Sequence, residues 1–210
     1  MNQQRFEAVR DDYPEASWAT WSREFPESGC IEETPEKVYE FIEQHRDRLN
    51  TGIVLVSLNP SRELPADFSN FHSPSRTHYD HRLKQFIQGN DLDRITGAYM
   101  TDLSVDIDPR SENVNPGAEE IERFLNQLET LGEDEYHVIC FIGKVFATLR
   151  SVFDGQPSGL EYGIKSFDAS WNGRTLHVHR VWFYGNWGAN ADKVPELERQ
   201  LEYLNDEVIE

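Results

Sequence analysis

The chain has 210 residues, of which 38 are acidic and 20 basic, and its formal net charge at pH 7 is −18. This length suits one domain with a sizeable core, and the 12 Phe, 8 Tyr and 5 Trp exclude a disordered composition. The excess of carboxylates opposes attraction to phosphate backbones and counts against a broad nucleic-acid-binding surface. Solubility and a high-salt source are alternative reasons for the charge.

Cysteine usage and hydropathy predict a cytoplasmic protein. Of the two cysteines, Cys30 and Cys140, the second falls in an apolar run, which favours a buried thiol over a disulfide. Residues 1–6 lack the apolar core of a signal peptide, and no apolar stretch approaches the length of a membrane span. We therefore expect one cytoplasmic domain over residues 1–210, with no membrane contact.

The first 50 residues predict two helices. Residues 1–33 are expected to form a helical extension packed on the domain, because aromatic side chains recur there at helical spacing. These are Phe6, Trp18, Trp21 and Phe25. A second helix begins with Thr34 as N-cap and Pro35 as its first residue, and it ends at residues 50–52.

A buried strand followed by a long polar loop is the most informative part of the chain. Residues 53–58 form an uncharged apolar run, which is typical of a parallel strand buried on both faces. The loop 59–79 is too long for a simple connector in a compact domain, which indicates a functional loop. Asp80 caps the helix that follows, Gly89 ends it, and residues 95–100 form the next strand.

The second half of the chain repeats this alternation. Asn115 and Pro116 are an N-cap and first-residue pair for a helix that stops at Gly132. Residues 137–142 predict a third buried strand, and residues 145–153 predict a short helix.

A hairpin and a closing helix complete the predicted elements. Asn172-Gly173 fits the type I′ turn that joins two antiparallel strands, and the second arm, 175–183, is the last strand. Pro195 is tolerated in the first turn of the closing helix.

Four strands separated by helices predict a three-layer α/β/α sandwich around a central, mostly parallel four-stranded sheet. In open α/β sheets, ligands bind beyond the carboxyl ends of the strands. The site residues should therefore come from loops 59–79, 101–115, 143–144 and 184–190.

The order of these segments resembles the uracil-DNA glycosylase superfamily over residues 50–190. Residues 54–61, Val-Leu-Val-Ser-Leu-Asn-Pro-Ser, are similar to its first motif, in which a strand ends in Asp-Pro or Asn-Pro. Residues 101–103, Thr-Asp-Leu, stand where that superfamily places a base-reading Asn, and Gly143-Lys144 resembles its turn after the third strand.

Two features set this chain apart within the resemblance. Residues 182–187, Trp-Phe-Tyr-Gly-Asn-Trp, occupy the place of the superfamily's last motif, which is usually His-Pro-Ser-like. The pairing of Leu-Asn-Pro-Ser with Asp80 and Leu83 is closer to an uncharacterised bacterial family. The resemblance is therefore to a divergent member.

The resemblance implies a site that cleaves an N-glycosidic bond. Asn59 would hold the water, Phe71 or Phe68 would stack on the base, and Asn186 with Tyr184 would assist departure of the base. An ionised Asp102 would accept from an exocyclic amino group, which favours cytosine or adenine over uracil. The other expected binding residues are Pro60, Ser61, Gly143 and Lys144.

Structural roles are the alternatives for the same residues. Asn59 before a proline is a common turn cap, Phe71 is a candidate loop-core residue, and residues 182–187 are candidates for packing. Lys144 at a helix N-terminus favours an anion but falls short of a phosphate-binding loop.

Two groups of histidines have spacings that metal sites use. His72, His78 and His81 lie in and after the long loop, and His177 and His179 lie two apart on one strand. No cysteine or carboxylate spacing accompanies them, so we expect neither a metal nor a cofactor.

Two functions follow from these observations. The first is an N-glycosidic bond hydrolase acting on a nucleobase in DNA. The second is a non-catalytic or differently catalytic pocket for a nucleobase or nucleotide, because one scaffold hosts many functions.

Overall fold

The computed structural model of the chain describes residues 1–21, 35–72, 78–185 and 192–209, without the side chains of residues 35–37. The helices are α1 Gln3–Asp12, α2 Pro35–Gln44, α3 Asp80–Gly89, α4 Ala118–Leu131, α5 Gly143–Val152 and α6 Val194–Tyr203. The strands are β1 Ser17–Trp18, β2 Asn50–Ser57, β3 Ala98–Asp102, β4 Glu135–Cys140, β5 Ser158–Gly159, β6 Lys165–Trp171 and β7 Arg174–Arg180.

These strands form one seven-stranded sheet in the order β1-β3-β2-β4-β7-β6-β5. The four central strands β3, β2, β4 and β7 run parallel to one another and correspond to the four predicted strands. The α/β class is therefore confirmed. The expected four-stranded sheet is wrong, because β1 is added antiparallel at one edge and β6 and β5 at the other.

Helices pack on both faces of this sheet. One apolar cluster joins α1, α2, α4 and α5 to Val54 and Val56 of β2, and the other joins α3 and α6 to Ile53 and Leu55. Successive side chains of a strand point to opposite faces. Burial on both faces explains why β2 has a continuous apolar run rather than an alternating one.

The N-terminal segment differs from the predicted helical extension. Helix α1 ends before Pro14, which disfavours helical geometry in the residue preceding it. The chain then joins the sheet, where Trp18 pairs with Tyr99 of β3 and is fully buried. Trp18 and Trp21 therefore do not lie on a helix. Phe25 is outside the described residues.

Several element boundaries also differ from the prediction. Residues 50–52 belong to β2, because Asn50 donates its backbone N–H to the carbonyl of Gly97 at 2.8 Å. Helix α4 begins at Ala118 rather than at Pro116, because the Glu120 carboxylate accepts the Gly117 N–H at 2.8 Å and caps the helix there. Thr34 is outside the described residues.

The hairpin and the closing helix agree with the prediction. Asn172 has φ 48° and Gly173 has φ 78°, the two positive values that a type I′ turn requires. Pro195 lies in the first turn of α6. Within the described ranges, no helix is long and apolar enough to cross a membrane.

Candidate functional site

A cavity of about 320 Å³ lies at the carboxyl ends of β2 and β3. The loop after β2, the first turn of α3 and the segment after β7 complete its wall. Six of the predicted site residues line it, namely Asn59, Pro60, Ser61, Phe71, Asp102 and Tyr184. Residues far apart in sequence therefore meet in one place, because the carboxyl ends of parallel strands share one edge of the sheet.

Two of the predicted site residues that the structure describes, Gly143 and Lys144, are not among those that line this cavity. Lys144 donates from Nζ to the carbonyl oxygens of Ser111 and Val114, at 2.9 and 2.8 Å, and so fastens a neighbouring loop to α5. Gly143 faces the Arg180 guanidinium, which a Cβ on Gly143 would approach to 3.4 Å. Both contacts are structural, so the structure does not bring Gly143 and Lys144 to the predicted binding site. Asn186 is outside the described residues.

Asn59 is held in one orientation by backbone carbonyls. Its Nδ2 lies 3.1 Å from the oxygen of Asp106 and 2.8 Å from that of Asp108, and Asp108 donates its own N–H to the carbonyl of Pro60. An atom surrounded by carbonyl oxygens must be the amide nitrogen, which fixes the orientation of the amide. Both NH₂ protons are therefore committed to the fold, and Oδ1 is the acceptor that this side chain can offer to a ligand.

Asp102, the last residue of β3, is the most perturbed acid of the cavity. It is 7% exposed, and its Oδ1 has no hydrogen-bond partner among the described residues. Burial and the carboxylate of Asp80 raise its pKa to about 8, although the nearby Asn70 amide opposes the rise. At neutral pH the carboxyl is therefore mostly protonated, with one O–H donor and one carbonyl acceptor, as in an amide.

Two neighbouring polar side chains also have a buried atom without a hydrogen-bond partner. The Oγ of Ser69 and the Nδ2 of Asn70 are buried and have no hydrogen-bond partner within the described ranges. Buried polar groups are nearly always paired, since an unpaired one destabilises the fold by about 1–3 kcal/mol. Because the Asn70 amide also acts on the Asp102 carboxyl, Ser69 Oγ and Asp102 Oδ1 are the two groups that most clearly favour a polar ligand in this cavity.

Aromatic rings form the apolar part of the cavity wall. The centroid of the Phe71 ring lies 6.1 Å from that of the Tyr184 ring and 6.4 Å from that of the Phe141 ring. Phe71 has φ 60°, which is uncommon for a bulky residue and is often found at ligand sites. Burial and the carboxylates of Asp80 and Asp102 raise the pKa of Tyr184, so its hydroxyl stays a neutral donor.

His72, His78 and His81 do not form a group that could hold a metal ion among the residues that the structure describes. Nε2 of His72 lies 3.1 Å from the carbonyl oxygen of Trp18, and burial lowers the pKa of this ring to about 4. His72 is therefore a neutral donor to the backbone. Nδ1 of His78 lies 3.2 Å from Oδ2 of Asp80 at the cavity wall.

Ser69, Asn70 and Asp80 are polar cavity residues that the sequence pattern did not identify as site residues. The loop 59–79 is expected to be functional, but within it the residue types point only to Phe71 or Phe68 as groups that stack on a base. The sequence pattern identifies Asp80 as a helix cap. The N-cap is Tyr79 instead, and Asp80 lies in the first turn of α3, where it lines the cavity.

No protein-family model and no curated protein matches this chain. The chemistry of the cavity is thus the basis for assigning a function.

Proposed function

We propose that the cavity binds one planar nitrogen heterocycle, a nucleobase carried as the free base, a nucleoside or a nucleotide. The observation that supports this most strongly is the buried Asp102 carboxyl, which has an unpaired Oδ1 and lines the same cavity as Phe71. The volume of about 320 Å³ is at the lower end of the range for ligand pockets, roughly 300–1,000 Å³.

A neutral Asp102 changes the choice of base. Its O–H can donate to a carbonyl or ring nitrogen while its C=O accepts from the adjacent N–H or NH₂. Uracil and hypoxanthine offer a carbonyl beside an N–H, and cytosine and adenine offer a ring nitrogen beside an amino group. The preference for an amino-bearing base assumed an ionised carboxylate, and a protonated one removes it.

Hydrolysis of an N-glycosidic bond by a uracil-DNA glycosylase-like protein is the second candidate. The fixed amide of Asn59 favours it, because Oδ1 would orient a water at the same cavity that holds the base. Asn59 is no strong base, so cleavage of the C–N bond would precede attack by water. The O–H groups of Asp102 and Tyr184 would stabilise the departing base anion.

Base binding is tested by calorimetric titration of the full chain with uracil, hypoxanthine, cytosine and adenine nucleosides. We expect binding by the wild type at pH 6.5, retention in Asp102→Asn and a loss of about 10-fold or more in Asp102→Ala. Asp154→Asn is the matched control, since this acid lies away from the cavity. Equal affinity in all four proteins would overturn the proposal.

Catalysis is tested separately by excision assays on single- and double-stranded DNA containing uracil or hypoxanthine. Asn59→Ala is expected to abolish release of the base while nucleoside binding persists. Binding without release in the wild type would leave the chain a nucleobase-binding protein and exclude the hydrolase.

A further inference from the structure

A cluster of imidazoles and carboxylates lies on one face of β4, β6 and β7. Its members are Glu135, His137, Asp168, His177 and His179. Sheet register places His137 directly opposite His177 on the neighbouring strand, and His177 opposite Asp168. The cluster is near the start of β4, whereas the cavity lies at the far ends of β2 and β3, so the two sites are separate.

We propose that Glu135, His137 and His177 bind a divalent transition-metal ion such as Zn²⁺. Oε1 of Glu135 lies 3.3 Å from Nε2 of His177 and 3.7 Å from Nε2 of His137. The three ligand atoms lie within 4.8 Å of one another.

These separations fit tetrahedral coordination. Nitrogen and oxygen ligands bind Zn²⁺ at about 2.0–2.2 Å, which places neighbouring ligand atoms about 3.3–3.6 Å apart. Side-chain shifts of about 1 Å would close the site. Two imidazoles with one carboxylate favour Zn²⁺, Co²⁺ or Ni²⁺ over Mg²⁺ and Ca²⁺, which prefer oxygen ligands.

The outer nitrogens of both imidazoles already have partners. Nδ1 of His177 lies 2.8 Å from Oδ1 of Asp168. Nδ1 of His137 lies 3.2 Å from Nε2 of His179, whose Nδ1 lies 2.9 Å from Oγ of Ser166. Histidine ligands usually donate their second N–H to a carboxylate, a backbone carbonyl or a water, and the contact of His177 with Asp168 is of this kind; it fixes the tautomer and directs the lone pair to the metal. This support is independent of the ligand distances.

His177 lies between two carboxylates, which is difficult to explain with a neutral ring alone. A neutral imidazole carries one N–H and so donates to only one of Glu135 and Asp168. A cation between Glu135 and Nε2 of His177 would resolve this, as would a second proton on the ring. The site is also accessible, because the Glu135 side chain is 63% exposed.

Three protein ligands leave one coordination position of a tetrahedral ion for water. The ligands come from two neighbouring strands, so a bound ion would also link β4 to β7. Neither consequence depends on nucleobase binding.

The test is calorimetric titration of Zn²⁺ into the full chain, prepared without a histidine tag and treated with EDTA. We expect one ion per chain, and a tetrahedral absorption spectrum with Co²⁺. Glu135→Gln and His177→Ala should lose at least about 10-fold in affinity, and Asp168→Asn about 10- to 100-fold.

His45→Ala is the matched control, because His45 lies outside the cluster. It shows how much affinity is lost when a histidine that is not a ligand is removed. Glu135→Gln keeps the test valid if His177→Ala fails to fold, because residue 135 is exposed. Absence of stoichiometric binding by the wild type would overturn the proposal, as would unchanged affinity in both ligand variants. The second outcome would show that the ion binds elsewhere on the chain.

Discussion

Asp102 illustrates how position alone changes the chemistry of a side chain. An aspartate in water is ionised at neutral pH, but this one is buried at a strand end beside the Asp80 carboxylate. Both effects penalise the charged form and keep the proton on the acid. A side chain that only accepts hydrogen bonds in water therefore gains a donor in the cavity. The retained proton should also make the free energy of unfolding depend on pH.

Replacement of Asp102 by Asn should change how the free energy of unfolding depends on pH. The folded-state pKa of about 8 exceeds the value of about 3.9 for an unfolded aspartate. The unfolded chain therefore releases this proton first, and wild-type stability falls as the pH rises from about 4 to about 8. Asp102→Asn lacks this loss, so its advantage should grow by about 4–5 kcal/mol over that range. Urea unfolding of both proteins at pH 4.5, 6 and 8 measures the difference, and a constant difference would contradict the raised pKa.

Phe71 and Phe68 form a matched pair for separating ligand binding from packing. Both are buried, with φ 60° and 55°, but Phe71 lines the cavity and Phe68 packs in the apolar cluster on the other face. Substitution by Leu should destabilise each protein by about 1–2 kcal/mol. Only Phe71→Leu should also weaken nucleoside binding, by about 10-fold, because stacking contributes roughly 1–3 kcal/mol per base. Equal affinities in the two variants would show that Phe71 is a core residue only.

At the scale of elements, Gly97 joins three segments. It accepts the N–H of Asn50 from β2 at 2.8 Å, donates to the carbonyl of Ala19 at 3.1 Å, and directly precedes β3. Its φ is 79°, and a Cβ there would lie 2.1 Å from the carbonyl oxygen of Arg48. That contact is impossible without movement of the backbone at the start of β2.

Gly97→Ala is therefore expected to cost more than an alanine at another glycine with positive φ. Gly173 is the control, because its φ is 78° and a Cβ at this position would meet open space, with no atom beyond its chain neighbours within 4 Å. Gly173→Ala should cost about 1–2 kcal/mol for the left-handed backbone alone. Gly97→Ala should cost at least about 2 kcal/mol more, since the clash forces backbone shifts. The urea midpoints of the two variants measure this difference. Equal losses of stability would mean that the backbone before β2 moves aside at little cost.

Elements with a strong local pattern were predictable from the sequence. The apolar run at 53–58 predicted β2, and Asn172-Gly173 predicted the hairpin, because both patterns are set by neighbouring residues. β1 has only two residues, and its pairing with β3 depends on a tertiary contact. The same limit applies to β5, whose two residues are also exposed.

The candidate site was predictable only where it follows directly from a strand end. Asp102 ends β3, and Asn59 lies two residues after the end of β2, so the parallel topology brings them together. Asn70 reaches the cavity through a loop with left-handed residues, which no periodicity reveals. Lys144 was misassigned because its helix position favours anions, while nearby carbonyls, absent from any local pattern, bind its ammonium group.

At the scale of the whole molecule, the charge of −18 constrains which form of a nucleobase can bind. A neutral nucleoside has no long-range interaction with this field, whereas an oligonucleotide is repelled. Salt screens that repulsion, because the Debye length falls from about 10 Å at 0.1 M to about 3 Å at 1 M ionic strength. Ordinary DNA-binding proteins show the opposite trend, since counterion release weakens their binding as salt rises.

The affinity for a nucleoside should therefore change by less than about two-fold between 0.1 and 1 M NaCl, while that for an oligonucleotide containing the same base should rise. Fluorescence anisotropy measures the affinity for the oligonucleotide, and equilibrium dialysis measures that for the nucleoside. Glu63→Gln and Asp154→Asn each remove one negative charge, but only Glu63 lies at the cavity. Glu63→Gln should tighten oligonucleotide binding more than nucleoside binding, and Asp154→Asn should change neither by a comparable amount. Oligonucleotide affinity that falls steeply with salt would instead require Lys or Arg contacts to phosphates, which would favour DNA as the natural partner despite the net charge.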